Sequence, residues 1–112
     1  MLRPPAWISA NAAALAAEEA QVIADPPDIP ILESRIDAIM RFDRRARLGD
    51  IRAPTLVIVA ADDMVTPLHY SEELVQKIAG AKLAVLPSGG HFVPVIESAV
   101  YNKAVGAFLR AA

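Results

Sequence analysis

One uninterrupted apolar run of six residues places the strongest constraint on the fold of this chain. Pro54 is followed by Thr-Leu-Val-Ile-Val-Ala, residues 55–60, with no charged side chain and no alternation of polar and apolar positions. The run is too short for a helix, and its β-branched residues favour an extended strand. A strand without alternation is typical of a parallel sheet that is buried on both faces. Residues 55–60 therefore need neighbours on both faces and both edges.

The composition is unusually apolar for so short a chain. The sequence has 112 residues, of which 54% are hydrophobic, and its mean hydropathy is +0.36. Soluble domains contain about 45–50% apolar residues. A chain of this length forms one domain at most, and a small domain should be comparatively polar because its surface is large relative to its core. The composition thus predicts that a partner covers some apolar surface or that the chain is part of a larger unit.

A second predicted strand completes a strand–helix–strand unit. Leu83–Leu86 form a short apolar segment that Pro87 ends. Between the two strands, Pro67 suits the first turn of a helix and Gly80 suits its C-terminal cap. The whole unit spans about 30 residues, which is the size of a βαβ unit with parallel strands and a right-handed crossover. The predicted fold class is therefore α/β. A closing amphipathic helix is expected, with an apolar face of Val100, Ala104, Phe108 and Ala111.

The residues before this unit predict two helices. Ser9–Ala24 is rich in Ala, Leu and Glu, and a proline pair ends it. Apolar side chains recur with helical spacing from about Ile31 to Arg45. We therefore expect a helical segment over residues 1–47, followed by an α/β segment over residues 48–112.

Several functional classes are not expected. The formal net charge of −2, with 21% charged residues, provides no basic surface for nucleic acid. Cysteine is absent, which excludes disulfides, thiolate metal sites and a cysteine nucleophile. Charges and prolines interrupt the apolar N-terminal residues, so neither a signal peptide nor membrane association is predicted, and a cytoplasmic setting is expected. There is no glycine-rich phosphate loop and no ligand spacing among His69, His91 and Asp63, so we expect no cofactor and no metal.

Titratable side chains follow both predicted strands. Asp62 and Asp63 come shortly after the first strand, and His91 follows the second. Because parallel strands end at the same edge of a sheet, these loops lie together where α/β proteins bind ligands. A carboxylate there could hold an imidazole as the acid–histidine half of a nucleophile–His–acid triad. The alternative interpretation is that the aspartates are ordinary turn or N-cap residues and that His91 is a polar loop residue.

Three motifs resemble the α/β-hydrolase family. Pro54-Thr-Leu-Val-Ile-Val-Ala-Ala-Asp-Asp-Met-Val-Thr-Pro67 is similar to the strand and acid loop of that family. Leu83-Ala-Val-Leu-Pro-Ser-Gly-Gly-His91 is similar to the next strand and histidine loop, and residues 101–109 resemble the closing helix. The resemblance covers residues 48–110. It implies the C-terminal part of an α/β-hydrolase sheet, preceded by a helical cap segment at residues 1–47.

The resemblance also implies roles for individual residues. Asp63 matches the acid of the family because it stands four positions before Pro67, and His91 matches the general base. Asp62 is then a loop residue and the second choice for the acid. The glycine pair before His91 would let the backbone turn sharply and leave the imidazole free to point at the site. The stretch over residues 41–51 and the histidine loop are further similar to the aminoacrylate hydrolases of pyrimidine breakdown, which implies a small-molecule acyl substrate.

The nucleophile of such a hydrolase is missing from these residues. A G-x-S-x-G elbow has glycine two positions before and after the serine, and none of the serines here has both. We therefore expect the C-terminal portion of a serine-type hydrolase of esters, amides or related acyl compounds. Its partner would be the missing N-terminal hydrolase half or a second copy. The alternatives are an inactive α/β remnant that folds as a self-associated oligomer, and an unorthodox nucleophile at Ser71 or Ser88.

Overall fold

One pair of parallel strands organises the fold. The computed structural model, which describes residues 2–111, has β1 at Leu56–Ala60 and β2 at Lys82–Leu86. The strands are parallel and in register, so that each residue of β1 lies opposite the residue of equal rank in β2. The helix that connects them packs against both strands. These observations confirm the predicted α/β class and the parallel strand–helix–strand unit.

The helices flank this sheet and continue away from it on the N-terminal side. In residues 2–111 they are α1 (Pro5–Ala10), α2 (Ala12–Ala24), α3 (Ile29–Arg41), α4 (Leu68–Lys77), α5 (Val93–Ile96) and α6 (Ser98–Ala111). Two 3-10 turns precede the strand unit and the last two helices respectively, at Arg45–Asp50 and Gly90–Phe92. The helical segment is thus α1 to α3, and the α/β segment contains everything from β1 onward. The boundary at residue 47 stays a prediction.

The first predicted helix, Ser9–Ala24, has a different start and an interruption. A helix already begins at Pro5, where a proline is favourable in the first turn. The helical conformation then breaks at Asn11, whose backbone has φ −121° and ψ 26°. The Asn11 side-chain amide donates to the carbonyl oxygen of Trp7 at 2.8 Å. Asparagine competes in this way with the helical backbone, and helical periodicity does not register a single break.

The second predicted helix, Ile31–Arg45, is also displaced. It runs from Ile29 to Arg41 and ends before Asp43. The Asp43 carboxylate accepts a hydrogen bond from the backbone N–H of Arg45 at 2.9 Å, which starts a turn in place of the helix. An aspartate that binds a backbone group two residues ahead favours a turn over a helix. The bound at Arg45 was therefore wrong by four residues.

The core of the described chain is small. The buried apolar side chains are Val59, Ala60, Ile78, Leu86 and Val93. The first three residues of β1 are only half-buried, and β2 leaves Leu83 and Val85 exposed by 37% and 46%. The expectation that residues 55–60 are buried on both faces is therefore met only at the end of β1. Two strands and one connecting helix do not supply enough neighbours to cover the rest.

The helical segment contributes no buried side chain at all. Over α1 to α3 no residue is buried. Along α3 every large apolar side chain except that of Leu32 is more than half exposed, namely those of Ile29, Ile31, Ile36, Ile39 and Met40. The radius of gyration is 16.8 Å, whereas a compact chain of this length has about 13 Å. The apolar excess of the sequence is therefore found on the surface of the described residues. None of the helices within residues 2–111 is long and apolar enough to cross a membrane.

The small core predicts a strong contrast between two leucines of β2. Leu86 is 6% exposed and packs with Ala60 and Val93. Leu86→Ala should therefore lower the free energy of unfolding by about 2–5 kcal/mol. Leu83→Ala, the same change at a position 37% exposed in the same strand, should cost about 1 kcal/mol or less. Urea denaturation followed by circular dichroism measures both, and equal losses would contradict the assignment of the core.

Candidate active site

The acid loop follows β1 and is folded around the side chain of Asp63. Its Oδ1 accepts the backbone N–H groups of Val65 at 2.8 Å and Thr66 at 3.0 Å. Its Oδ2 accepts the Thr66 hydroxyl at 2.8 Å. The backbone N–H of Asp63 itself donates to the carbonyl oxygen of Ala60 at 3.1 Å, which turns the chain at the end of the strand. One carboxylate thus organises the next three residues, as aspartate does in turns.

These hydrogen bonds determine the charge of Asp63. The side chain is only 7% exposed, and burial alone raises the pKa of a carboxyl group. Hydrogen bonds from Thr66, His91 and Val65 outweigh burial, so that the pKa of Asp63 is lowered from 3.8 to about 2. Asp63 is therefore ionised at neutral pH and accepts hydrogen bonds without donating any.

The histidine loop turns on two glycines with positive φ. Gly89 has φ +125° and Gly90 has φ +59°, conformations that L side chains rarely adopt. A Cβ atom on Gly89 would lie 2.7 Å from Cγ2 of Val93. The sharp turn presents His91 at the edge of the sheet where both strands end. The predicted reason for this glycine pair agrees with the geometry.

Asp62 holds the histidine loop, and does not contact the imidazole. Its Oδ1 accepts the backbone N–H of Gly90 at 2.9 Å, and its Oδ2 lies 3.4 Å from the backbone nitrogen of Gly89. Asp62, the second choice for the acid, is thus an anchor between the two loops. Sequence reasoning missed this role, although two adjacent carboxylates opposite two loop glycines were its signal.

Asp63 and His91 meet across the two loops. Nδ1 of His91 lies 3.1 Å from Oδ2 of Asp63. The side chain of His91 is 37% exposed, against 7% for Asp63, so the ring extends from a buried carboxylate to the surface. The structure therefore brings together the two residues that the sequence predicted as acid and base. Their catalytic roles remain a prediction.

The N-terminal residues Leu2 and Arg3 also bind the histidine loop. The carbonyl oxygen of Leu2 accepts the backbone N–H groups of His91 at 3.0 Å and Phe92 at 3.3 Å. The Arg3 guanidinium lies 5.0 Å from the ring centre of Trp7 and 5.2 Å from that of Phe92, within the range of cation–π attraction. The contacts of Leu2 and Arg3 with the histidine loop join residues that are about 90 positions apart in the sequence, so no local pattern could have predicted them.

Neither serine considered as an unorthodox nucleophile is placed to serve His91. Ser71 is 8% exposed within α4, and the Ser88 hydroxyl points to Oε1 of Glu97 at 3.5 Å. Within residues 2–111 no serine is hydrogen-bonded to the imidazole. The same stretch holds no cluster of three His, Asp or Glu residues arranged to bind a metal ion.

The profile of the α/β-hydrolase fold family matches residues 33–97. This is more than half of the chain, which therefore belongs to that family, as its motifs predicted. The protein RutD of Azorhizobium caulinodans, named as a candidate carbamate hydrolase, is 39% identical over 102 residues, covering 91% of this chain and 38% of that protein. RutD of a Caulobacter species is 41% identical over 108 residues, covering 96% of this chain and 40% of that protein.

A solved structure shows the same arrangement over nearly the whole chain. The enol-lactonase of Burkholderia xenovorans superposes with a TM-score of 0.84 at 25% sequence identity, covering 97% of this chain and 41% of that one. The predicted likeness to hydrolases of pyrimidine utilisation is confirmed by the RutD relatives. The chain spans about two fifths of the length of these proteins, 38–41%.

The low pKa of Asp63 predicts a specific loss of stability in acid. Because its pKa is about 2 in the folded chain and 3.8 ordinarily, its contribution is present above pH 4 and is lost as the pH falls towards 2. The difference corresponds to about 2 kcal/mol. Urea denaturation at several pH values should show a shallower acid loss for Asp63→Asn than for the unaltered chain. Asp43, whose pKa the Arg45 side chain also lowers, contributes equally to the acid loss of both chains. If the unaltered chain and Asp63→Asn lose stability equally steeply as the pH falls, the contribution assigned to Asp63 is contradicted.

Proposed function

We propose that Asp63 and His91 are the acid and base of a serine-type hydrolase whose nucleophile lies outside these 112 residues. The observation that carries this proposal is the 3.1 Å contact between Nδ1 of His91 and Oδ2 of Asp63. It occurs at the edge where parallel strands of an α/β protein present ligand-binding loops. An ionised carboxylate behind a partly exposed imidazole is the arrangement that a hydrolytic triad requires.

The chemistry follows from these two side chains. A serine hydroxyl next to the exposed part of the ring transfers its proton to Nε2 of His91 while its oxygen attacks a substrate carbonyl carbon. Asp63 stabilises the imidazolium that forms. The same nitrogen then returns the proton to the leaving group, and water repeats the sequence to release the acid.

The proposed substrate is a small molecule with a hydrolysable carbonyl group, such as an ester, an amide or a carbamate. Two lines of support agree on this class. The RutD relatives are named for carbamate hydrolysis, and the superposed Burkholderia enzyme is named as an enol-lactonase. Both types of reaction begin with attack on a carbonyl carbon, which is the step that the acid and base would promote.

The nucleophile is proposed to come from a partner, namely the N-terminal half of a hydrolase. The support is the lack of a G-x-S-x-G elbow in the sequence and the coverage of 38–40% of the RutD relatives. Loss of a serine nucleophile costs about 10⁶ in kcat, as much as loss of a whole triad. The chain alone should therefore hydrolyse esters no better than free imidazole does.

The test is complementation. The chain is co-expressed with the remaining part of the Azorhizobium RutD relative, and the purified complex is assayed on p-nitrophenyl acetate. The complex should hydrolyse the ester at least about 10³-fold faster than the chain alone, and only the complex should react with a fluorophosphonate probe. His91→Gln should abolish turnover, and Asp63→Asn should lower kcat by about 10⁴.

Asp50→Asn is the matched control, because Asp50 is exposed and its one ion pair within residues 2–111 is with Arg47 at 3.0 Å. It should leave the rate unchanged. Turnover by the chain alone that exceeds the rate of free imidazole and disappears in His91→Gln would contradict the missing nucleophile. Turnover by the complex that survives His91→Gln would contradict the assignment of the base.

The exposed apolar surface favours a second candidate, an inactive remnant that folds as a self-associated oligomer. Several apolar side chains of α3 and β2 face solvent in the single chain, among them Ile39 by 72% and Val85 by 46%. Exposed strand edges and contiguous apolar surface promote association. In that case light scattering should give about twice the chain mass of 12.0 kDa or more, and Ile39→Glu should reduce it. A monomer of 12.0 kDa would contradict self-association.

A further inference from the structure

The hydroxyl of Thr66 lies between the two residues of the proposed acid–base pair. Its Oγ1 is 2.8 Å from Oδ2 of Asp63 and 3.4 Å from Nδ1 of His91. The backbone N–H of Thr66 also donates to Oδ1 of the same carboxylate at 3.0 Å. Thr66 therefore contacts both oxygens of Asp63 and the ring nitrogen that faces them.

Counting protons in this cluster assigns the tautomer of the imidazole. Asp63 is ionised, because its pKa is lowered to about 2, and it only accepts hydrogen bonds. A threonine hydroxyl has one proton, and the shorter contact places that proton on Oδ2 of Asp63. The hydroxyl then has only lone pairs to direct at Nδ1 of His91. Nδ1 thus faces two acceptors, at 3.1 Å and 3.4 Å, and is satisfied only when it carries a hydrogen.

We propose that Thr66 is a positioning residue that holds the proton of His91 on Nδ1 and so leaves Nε2 unprotonated. The proposal deepens the proposed function and rests on it for its catalytic meaning, since a base must accept a proton at the exposed end of the ring. Thr66 does not act on substrate itself. It acts through the orientation of Asp63 and the tautomer of His91.

The carboxylate alone would not impose this arrangement as firmly. The backbone N–H groups of Val65 and Thr66 both donate to Oδ1 of Asp63, so neither of these two hydrogen bonds reaches the oxygen that faces the ring. The Thr66 hydroxyl adds a hydrogen bond to Oδ2 on the side that the ring nitrogen also approaches, and so limits rotation of the carboxylate about the Cβ–Cγ bond. Threonine suits this task because its branched Cβ restricts χ1, so that the hydroxyl itself has little freedom. A free imidazole in water prefers the Nε2–H tautomer, and the two acceptors reverse that preference.

The experiment measures the tautomer directly on the full chain. Histidine labelled with ¹⁵N is observed by NMR at about pH 9, where an imidazole is neutral. In the unaltered chain the spectrum should show a protonated Nδ1 and an unprotonated Nε2. Thr66→Val, which keeps the shape but removes the hydroxyl, should at least triple the population of the Nε2–H tautomer, a change of about 0.7 kcal/mol. Thr66→Ser should resemble the unaltered chain.

A second readout follows the carboxylate. Thr66→Val removes a hydrogen bond that stabilises the charged form of Asp63, so the pKa of Asp63 should rise in a ¹³C NMR titration of its carboxyl carbon. Thr55→Val is the matched control, because the Thr55 hydroxyl also caps a loop group, the carbonyl oxygen of Ala53 at 2.9 Å, away from the acid–base pair. It should alter neither the tautomer of His91 nor the pKa of Asp63.

Three results would overturn the proposal. The first is an unchanged tautomer of His91 in folded Thr66→Val. The second is an equal change in Thr66→Ser, since the hydroxyl would then not be the cause. If Thr66→Val does not fold, the unaltered chain tests the proposal by itself. In that chain the Thr66 hydroxyl proton should exchange slowly with water and show a nuclear Overhauser contact to the Nδ1 proton of His91. The third overturning result is the absence of that protected proton.

The complemented enzyme separates this proposal from the proposed function. In the complex, Thr66→Val should lower kcat about tenfold with little change in KM, and Thr66→Ser should restore it. A complex without activity, combined with the expected tautomers in the chain, would contradict the proposed function alone. Activity that depends on His91 but is insensitive to Thr66→Val, with an unchanged tautomer, would contradict the role of Thr66 alone.

Discussion

The parallel pairing of β1 with β2 positions both loops of the candidate site. The ladder continues past both strand ends, where the N–H of Lys82 donates to the Thr55 carbonyl oxygen at 2.9 Å and that of Ala61 to Leu86 at 2.8 Å. Parallel strands must end at one edge, so the pairing alone brings the loops after them together. The acid and histidine loops belong to one site for this reason, although 28 residues separate Asp63 from His91.

The two adjacent carboxylates, Asp62 and Asp63, bind different parts of the histidine loop. Asp62 binds the backbone of the histidine loop and sets where the loop lies. Asp63 binds the side chain on that loop and sets how the ring is turned. The burial of Asp63 is tolerated because four hydrogen bonds satisfy it. A buried carboxylate without such partners would take up a proton and could not stabilise an imidazolium.

The apolar sequence and the small core are two aspects of one constraint. The run at residues 55–60 has the composition of a strand that is covered on both faces, yet only Val59 and Ala60 are buried. Exposed isoleucines along α3 show the same imbalance outside the sheet. Relatives that share this segment are about two and a half times longer, since the chain covers 38–40% of them. This excess of apolar surface is one reason for the proposal that a partner covers it.

What could be predicted from sequence depended on the range of the interactions. Strand β1 was predicted to within one residue, because a run of β-branched side chains expresses a local preference. The break at Asn11 and the helix end before Asp43 were missed, because single side chains that bind nearby backbone groups override periodicity. Asp63 and His91 were found because their motifs resemble those of a known family.

Local patterns and chain topology were enough to predict the α/β class, the parallel strands and the edge at which Asp62, Asp63 and His91 lie, whereas the roles of Asp63 and His91 were implied by the family resemblance. The family motif favoured Asp63 over its neighbour Asp62, and the tertiary structure shows that Asp63 is the carboxylate that meets the imidazole. Only the tertiary structure decided that the Leu2 carbonyl and the Thr66 hydroxyl complete the surroundings of His91. A hydrogen bond forms or fails with a change of a few tenths of an ångström in the distance between donor and acceptor. Those distances are set only when the chain has folded.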